Sequence, residues 1–280
     1  MKTKSNKIVI FEVFKHIIIL LFLILTSYPF IILIFKSFKT PEQNIYHPFT
    51  LSFPLEFENY KLAWAYVGHY IMNTVTITAV GTILIIIFAA LAAYVFACYD
   101  FPGKSLIYWL VLSLMMVPGI LTLVPLFQTV DKMSLLNTKW AVILPGIRSQ
   151  LPFGVFLLTS FFKGIPGELF EASRIDGAGM RAVFFKIALP LSKPILTTLG
   201  ILSVLFFWND VIWPCIALQT ENQYTIAIGM RPFTTSYMST TRNYGPVMAG
   251  YCIVSIPLLI AFFFASKQFI AGITSGAVKM

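Results

Sequence analysis

Few groupings in this 280-residue chain have the residue types and spacing that chemistry requires. Gly103, Lys104 and Ser105 end like a phosphate-binding loop, whose backbone amides and lysine cradle phosphates. That loop needs a glycine five positions before Gly103, and Cys98 stands there. Its usual context is also missing, because a buried strand should precede it and the uncharged run Tyr70 to Tyr99 does so instead. The tripeptide therefore reads as a short turn built on Pro102 and Gly103. His16, His47 and His69 lack a second ligand three or four positions on, so neither a metal site nor a triad assembles. Cys98, Cys215 and Cys252 have no CxxC or Cys/His spacing and read as small buried hydrophobes. With no catalytic constellation, the chain reads as a non-enzyme. Any uphill work must draw on an ion gradient or on another polypeptide. Arg148 and Asp210 stand inside otherwise uncharged apolar stretches, where an ionisable group is costly and faces a cavity or a partner. Two readings stand for each: a structural polar bond or a position near the interface, or the wall of a solute path shared with Trp208 and Asn209.

The elements that must position these residues follow from composition. Hydrophobic residues make up 58% of the chain and charged ones 11%, and the mean hydropathy is +0.83. A soluble domain is about a quarter charged. The 20 basic and 11 acidic residues here are too few to cover a water-soluble core of this size, so the chain is a membrane protein. The net charge of +9 does not point to nucleic acid, because the basic residues lie between long uncharged runs rather than in a solvated stripe. Lipid headgroups and the cytoplasmic face of a bilayer suit them better.

Six stretches are long and apolar enough to span. They are Ile17 to Phe35, Tyr70 to Tyr99, Ser105 to Val130, Trp140 to Phe162, Pro194 to Gln219 and Asn243 to Ser266. The expected fold is an all-α polytopic membrane protein of six transmembrane helices spread over 17–266. A 16-residue N-terminus precedes them and a tail from 267 to 280 follows. The first apolar run is too long for a signal peptide and reads as a retained span. Prolines 29, 118, 125, 145, 152 and 257 fall inside spans, each freeing a carbonyl that a neighbour or a wet cavity must satisfy. Lysines and arginines set orientation. Twelve precede span one, separate spans two and three or four and five, or follow span six, against seven in the alternate loops. Both termini are therefore expected in the cytoplasm. Loops 36–69 and 220–242 would then face outward, long enough to meet a partner. No internal repeat is visible, which disfavours a self-contained secondary transporter built from duplicated halves.

The segment between spans four and five, 163–193, carries the most information. Pro166 suits a first helical turn, and Glu168 and Glu171 complement its dipole. A helix should run to about Ile175, then Gly177 and Gly179 interrupt it. Asp176 can cap a second helix through Phe185, and Pro190 ends the segment. The product is a cytoplasmic helix-turn-helix that could either lie in the headgroup layer or dock a soluble partner.

Residues Glu171 to Pro190, EASRIDGAGMRAVFFKIALP, resemble the EAA signature of permease subunits of bacterial ATP-binding-cassette importers. That signature is Glu-Ala-Ala, three residues, Gly, nine residues, Ile, any residue, Leu-Pro. Glu171, Ala172, Gly177, Ile187, Leu189 and Pro190 match at that spacing, and Ser173 replaces the second alanine with another small residue. Phe101-Pro102-Gly103, Leu136-Asn137-Thr138, Asp176-Gly177-Ala178, Trp208-Asn209-Asp210 and the ending Gly276-Ala277-Val278-Lys279 are similar to the six-span partner of maltose-type carbohydrate permeases. The final Met280 departs from the Lys-Gly ending common there.

The resemblance implies a division of labour. A second, non-identical permease subunit, two ATP-binding subunits that carry ATP and Mg, and an external sugar-binding protein would complete an importer in a bacterial cell membrane. This chain would bind no cofactor itself. The hairpin, with Glu171, Ala172, Asp176, Gly177, Ala178, Ile187, Leu189 and Pro190, would seat in an ATPase subunit and couple its closure to the spans. Part of 220–242 would enter the binding protein. Arg148, Trp208, Asn209 and Asp210 are the candidate translocation path, their hydrogen-bonding and stacking groups being suited to sugar. The same importer class serves polyamines and phosphorylated compounds, which remain alternatives. An ion-coupled transporter would want more buried carboxylates than Asp210.

Overall fold

The computed structural model describes residues 2–175 and 177–277, with the side chains of 2–10, 174, 236, 239, 240 and 268–277 left aside. Asp176, Val278, Lys279 and Met280 lie outside the described residues. All regular structure described is helical, the arrangement in which a chain in lipid satisfies its own backbone. The helices α1 (Lys2–Ser37), α3 (Glu58–Cys98), α6 (Trp140–Lys163) and α14 (Tyr244–Ala277) each hold a stretch able to cross a membrane. Two bent pairs bring the number to six.

The first pair corrects the third expected span. Lys104–Met116 and Gly119–Lys132 meet at 94°, so Ser105 to Val130 is not one rod. Pro118 lacks an N–H and disfavours helix at the residue before it, and Val117 is accordingly extended at φ −81°, ψ 114°. This leaves α4 (Lys104–Ser113) and α5 (Leu123–Lys132) on either side of two short 3-10 turns. The second pair joins Met180–Leu191 to α10 (Lys193–Asn209) at 74°. The fifth expected span is also interrupted, because Asp210 is extended at φ −69°, ψ 120°, and α11 (Ile212–Ala217) starts anew.

Both long loops, 36–69 and 220–242, hold more helix than their composition announces. α1 runs on to Ser37, α2 (Pro41–Tyr46) starts with reciprocal Thr40 and Gln43 capping bonds, and α3 already begins at Glu58. Asn59 pins the connection by donating to the Ser37 and Lys39 carbonyls at 2.9 and 3.0 Å. Lys39 is fully buried and donates to the His47 carbonyl, and burial, followed by Lys36, holds its ammonium below the usual lysine pKa. The segment Ile226–Thr241 is an unbroken helix made of α12 (Ile226–Pro232), a π-helical turn Phe233–Tyr237 and α13 (Met238–Thr241). Ile226, Met230 and Phe233 are buried at helical spacing, and that burial outweighs the poor helix propensity of its threonines.

The chain divides into two compact units, Met1–Gly68 with Met230–Ser255, and His69–Gly229 with Ile256–Met280. Within the first, Tyr66 stacks on Phe233 at 5.0 Å. The core of the second holds Ile77, Ile85, Leu158, Leu199 and Phe207. The Phe207 ring lies so close to Gly81 and Gly146 that a Cβ at either would collide with it. The cysteines differ from expectation: Cys215 is exposed and Cys98 and Cys252 are partly so.

Candidate functional site

A cleft of about 250 Å³ opens where the two interrupted spans meet α6. Gly119 and Thr122 reach it from the first break, Asp210 and Trp213 from the second, and Arg148 and Ser149 from α6. A helix that stops in the hydrocarbon leaves backbone groups unpaired, a cost tolerated where the break lines a cavity. Arg148 Nη1 lies 3.5 Å from Thr122 Oγ1, and an adjoining cleft of about 430 Å³ shares both residues together with Leu126 and Pro145. The Trp213 indole is fixed by donating to the Ala141 carbonyl at 2.7 Å. The cleft thus offers one cation, one carboxylate, two hydroxyls and the rings of Phe206 and Trp213. Such a wall exchanges hydrogen bonds and stacks on apolar ring faces without a large fixed charge, which suits a neutral, hydroxyl-rich solute.

Of the four path candidates, Arg148 and Asp210 line this cleft and the other two do not. Trp208, about as buried as Trp213, lies outside the cleft lining, and Asn209 returns its carboxamide N–H to the Leu205 carbonyl at 2.8 Å. Trp213 was missed as the aromatic wall. The signal for it lay in Asp210 itself: once the helix stops there, residues beyond it no longer keep the phase of Trp208.

The hairpin forms largely as its sequence indicates. α7 (Gly167–Ile175) ends on Gly177, whose φ of +79° is left-handed, while the Ala178 N–H closes on the Ser173 carbonyl at 2.9 Å. Gly179 occupies the N-cap of α8 (Met180–Val183) with no side-chain cap among the described residues, and the expected cap, Asp176, lies outside those residues. Pro190 does not end the helix, which continues through a π-helical turn Phe184–Ala188 into α9 (Leu189–Leu191) and breaks at Ser192. Pro190 sits in the first turn of α9, where a missing N–H matters less. One face of the hairpin is anchored: Phe170, Ser173, Val183 and Phe184 are buried, and Phe184 packs 5.0 Å from Tyr94. Burial of Ser173 explains why a small side chain belongs there. Ile187 and Leu189 pack partly buried against the same core. The other face is bare: Glu171, Ala172, Gly177, Ile175 and Met180 are exposed, with Ile175 at 85%. Ala178 lies half-buried at the turn.

Residues 85–274 match the family described as "Binding-protein-dependent transport system inner membrane component". The arabinooligosaccharides transport system permease protein AraQ of Halalkalibacterium halodurans is 36% identical over 258 residues, 90% of this chain and 91% of that one. The melibiose/raffinose/stachyose import permease protein MelC of Bacillus subtilis is 35% identical over 254 residues, 90% of this chain and 91% of its own. A crystal structure of a bacterial ABC transporter involved in import of the acidic polysaccharide alginate shares the fold, with a TM-score of 0.77 at 21% identity over 93% of this chain and 96% of that one. The family match runs from the last third of α3 almost to the end of α14, taking in the whole hairpin and every residue named on the cleft wall. The chain belongs to the binding-protein-dependent transport system inner membrane components, the multi-pass permease subunits of ATP-binding-cassette importers.

Proposed function

We propose that this permease carries a carbohydrate, a short oligosaccharide, through the cleft that Arg148 and Asp210 line. One observation carries the reading: the two broken spans converge on a wall of hydroxyls and rings whose single cation is offset by a single carboxylate. The arabinooligosaccharide and melibiose/raffinose/stachyose permeases among its relatives support that substrate class. In this reading the chain forms half of the path beside a second, non-identical permease subunit. Two ATPase subunits bind ATP and Mg, this chain binds neither, and the bare face of the hairpin seats in one of them. Both termini lie in the cytoplasm, which puts Ile226–Thr241 on the outer side to meet the binding protein.

The test is uptake of labelled oligosaccharide into proteoliposomes holding all subunits. Uptake requiring both ATP inside and binding protein outside is the expected result. Uptake that runs without either, or transport of a polyamine or sugar phosphate in place of neutral sugar, overturns the assignment. Deleting one turn between Pro232 and Thr241 should lower uptake while leaving the assembled complex and its ATP binding intact.

A further inference from the structure

A second polar cleft, of about 540 Å³, lies away from the first, where α3 ends, α4 begins and α6 ends. Asp100, Gly103, Lys104, Ser105, Trp109 and Lys163 line it. Lys163 is the last residue of a membrane-crossing helix and Lys104 the first residue of α4, so both ammonium groups stand at the level where spans leave the hydrocarbon. Their surroundings differ. Lys104 Nζ is 2.9 Å from Asp100 Oδ1, which neutralises it. Lys163 has no acidic partner among the described residues and rests over the Tyr108 ring, 5.6 Å from its centroid. The cleft therefore holds one uncompensated positive charge, reinforced by the Ser105 and Leu106 amides in the first turn of α4, whereas the Lys104 N–H is already taken by the Phe101 carbonyl at 3.2 Å.

One turn further into α4 the character changes. Leu106 and Trp109 are each 65% exposed, and Tyr108 packs its ring 5.3 Å from Phe96. A small free anion would use only the upper, charged part. A molecule with a monoanionic head and an apolar tail would use both, and a bilayer supplies such molecules at this depth. We propose that this cleft is a binding site for the phosphodiester headgroup of an anionic glycerophospholipid, with Lys163 holding the phosphate and Trp109 lying along the glycerol and upper acyl region. Asp100 opposes it by occupying Lys104, so the site is tuned to a single negative charge.

The assigned roles make opposite predictions for two neighbouring residues. The complete transporter is purified in a neutral detergent, and retention of dioleoylphosphatidylglycerol against dioleoylphosphatidylcholine is read by native mass spectrometry, which also reports subunit assembly. Preference for phosphatidylglycerol is expected. Lys163→Gln should lower it about fivefold and Lys163→Arg should keep it. Asp100→Asn, which frees Lys104, should raise it. Glycerol 3-phosphate at millimolar concentration should fail to displace the lipid. The proposal is overturned if phosphatidylcholine is retained equally, if Lys163→Gln and Asp100→Asn leave the ratio unchanged, or if glycerol 3-phosphate competes, which would make this a site for free phosphate.

Discussion

Asn137 and Thr220 are joined by one carboxamide oxygen that accepts from both the backbone N–H and the hydroxyl of Thr220, each at 3.0 Å. The same oxygen accepts the Gln219 N–H at 2.9 Å, and the Asn137 N–H donates to the Ala217 carbonyl at 2.8 Å. Asn137 has φ +58°, a left-handed conformation that asparagine tolerates better than most side chains. It therefore ties the end of α11 to the approach to α6, and with it the Trp213 wall of the cleft. Asn137→Leu removes the acceptor and strains the backbone, at a cost on the order of 2 kcal/mol. Asn137→Asp keeps the acceptor and should recover most of the loss. Thermal unfolding of the complex reads the first effect, and sugar uptake should fall alongside it.

For the hairpin, Gly177 separates conformation from space. A Cβ there would meet nothing within 4 Å, so Gly177→Ala is disfavoured only by its φ of +79°, about 1–2 kcal/mol. Gly177→Trp adds bulk on the bare face, and Glu171→Lys reverses a charge there. Both should abolish sugar uptake in reconstituted complexes, through failed assembly or through ATP hydrolysis no longer tied to transport. Normal uptake by both variants would refute docking through this face.

At the cleft, Arg148→Gln should lower transport about tenfold, on the order of 1.4 kcal/mol. Asn209→Ala should stay within about twofold, because that exposed side chain donates to the Leu205 carbonyl of its own helix. A concentration series of uptake decides between them. Equal losses in the two variants would move the path away from Arg148.

Orientation has its own check. In a background lacking Cys98, Cys215 and Cys252, Thr235→Cys should react with impermeant maleimide in intact cells. Arg174→Cys should react only after the membrane is opened. The exposure of Cys215 makes that background necessary. The opposite labelling pattern would reverse inside and outside.

The spans and the hairpin were legible because each rests on a local signal: an apolar run of sufficient length, or glycine at a turn that needs φ above zero. The breaks were harder to read. An apolar window does not register backbone direction, so Pro118, named among six prolines inside spans, does not by itself show that span three turns sharply at Val117. Asn209-Asp210 was read as polar residues on a helix when it marks the helix end. Loop 220–242 misled in the other direction. Its threonines and serines advertise a connector, while the helix depends on Met230 and Phe233 finding partners distant in sequence, such as Tyr66. Bringing Arg148 and Asp210 to one cleft was likewise beyond spacing arguments, since the whole hairpin and α10 separate Arg148 on α6 from the break at Asp210.

The Phe207 ring that fills the space over Gly81 and Gly146 ties together the changes this protein can accept at three positions. A methyl group at either glycine overpacks that contact by about 1–3 kcal/mol while the ring remains. Losing the ring first opens a void costing about 3–5 kcal/mol. Larger residues at 81 and 146 would then become gains instead of losses. The three positions are coupled in sequence drift: ring loss and growth of a small residue relieve each other, and a single step of either kind passes through a less stable intermediate.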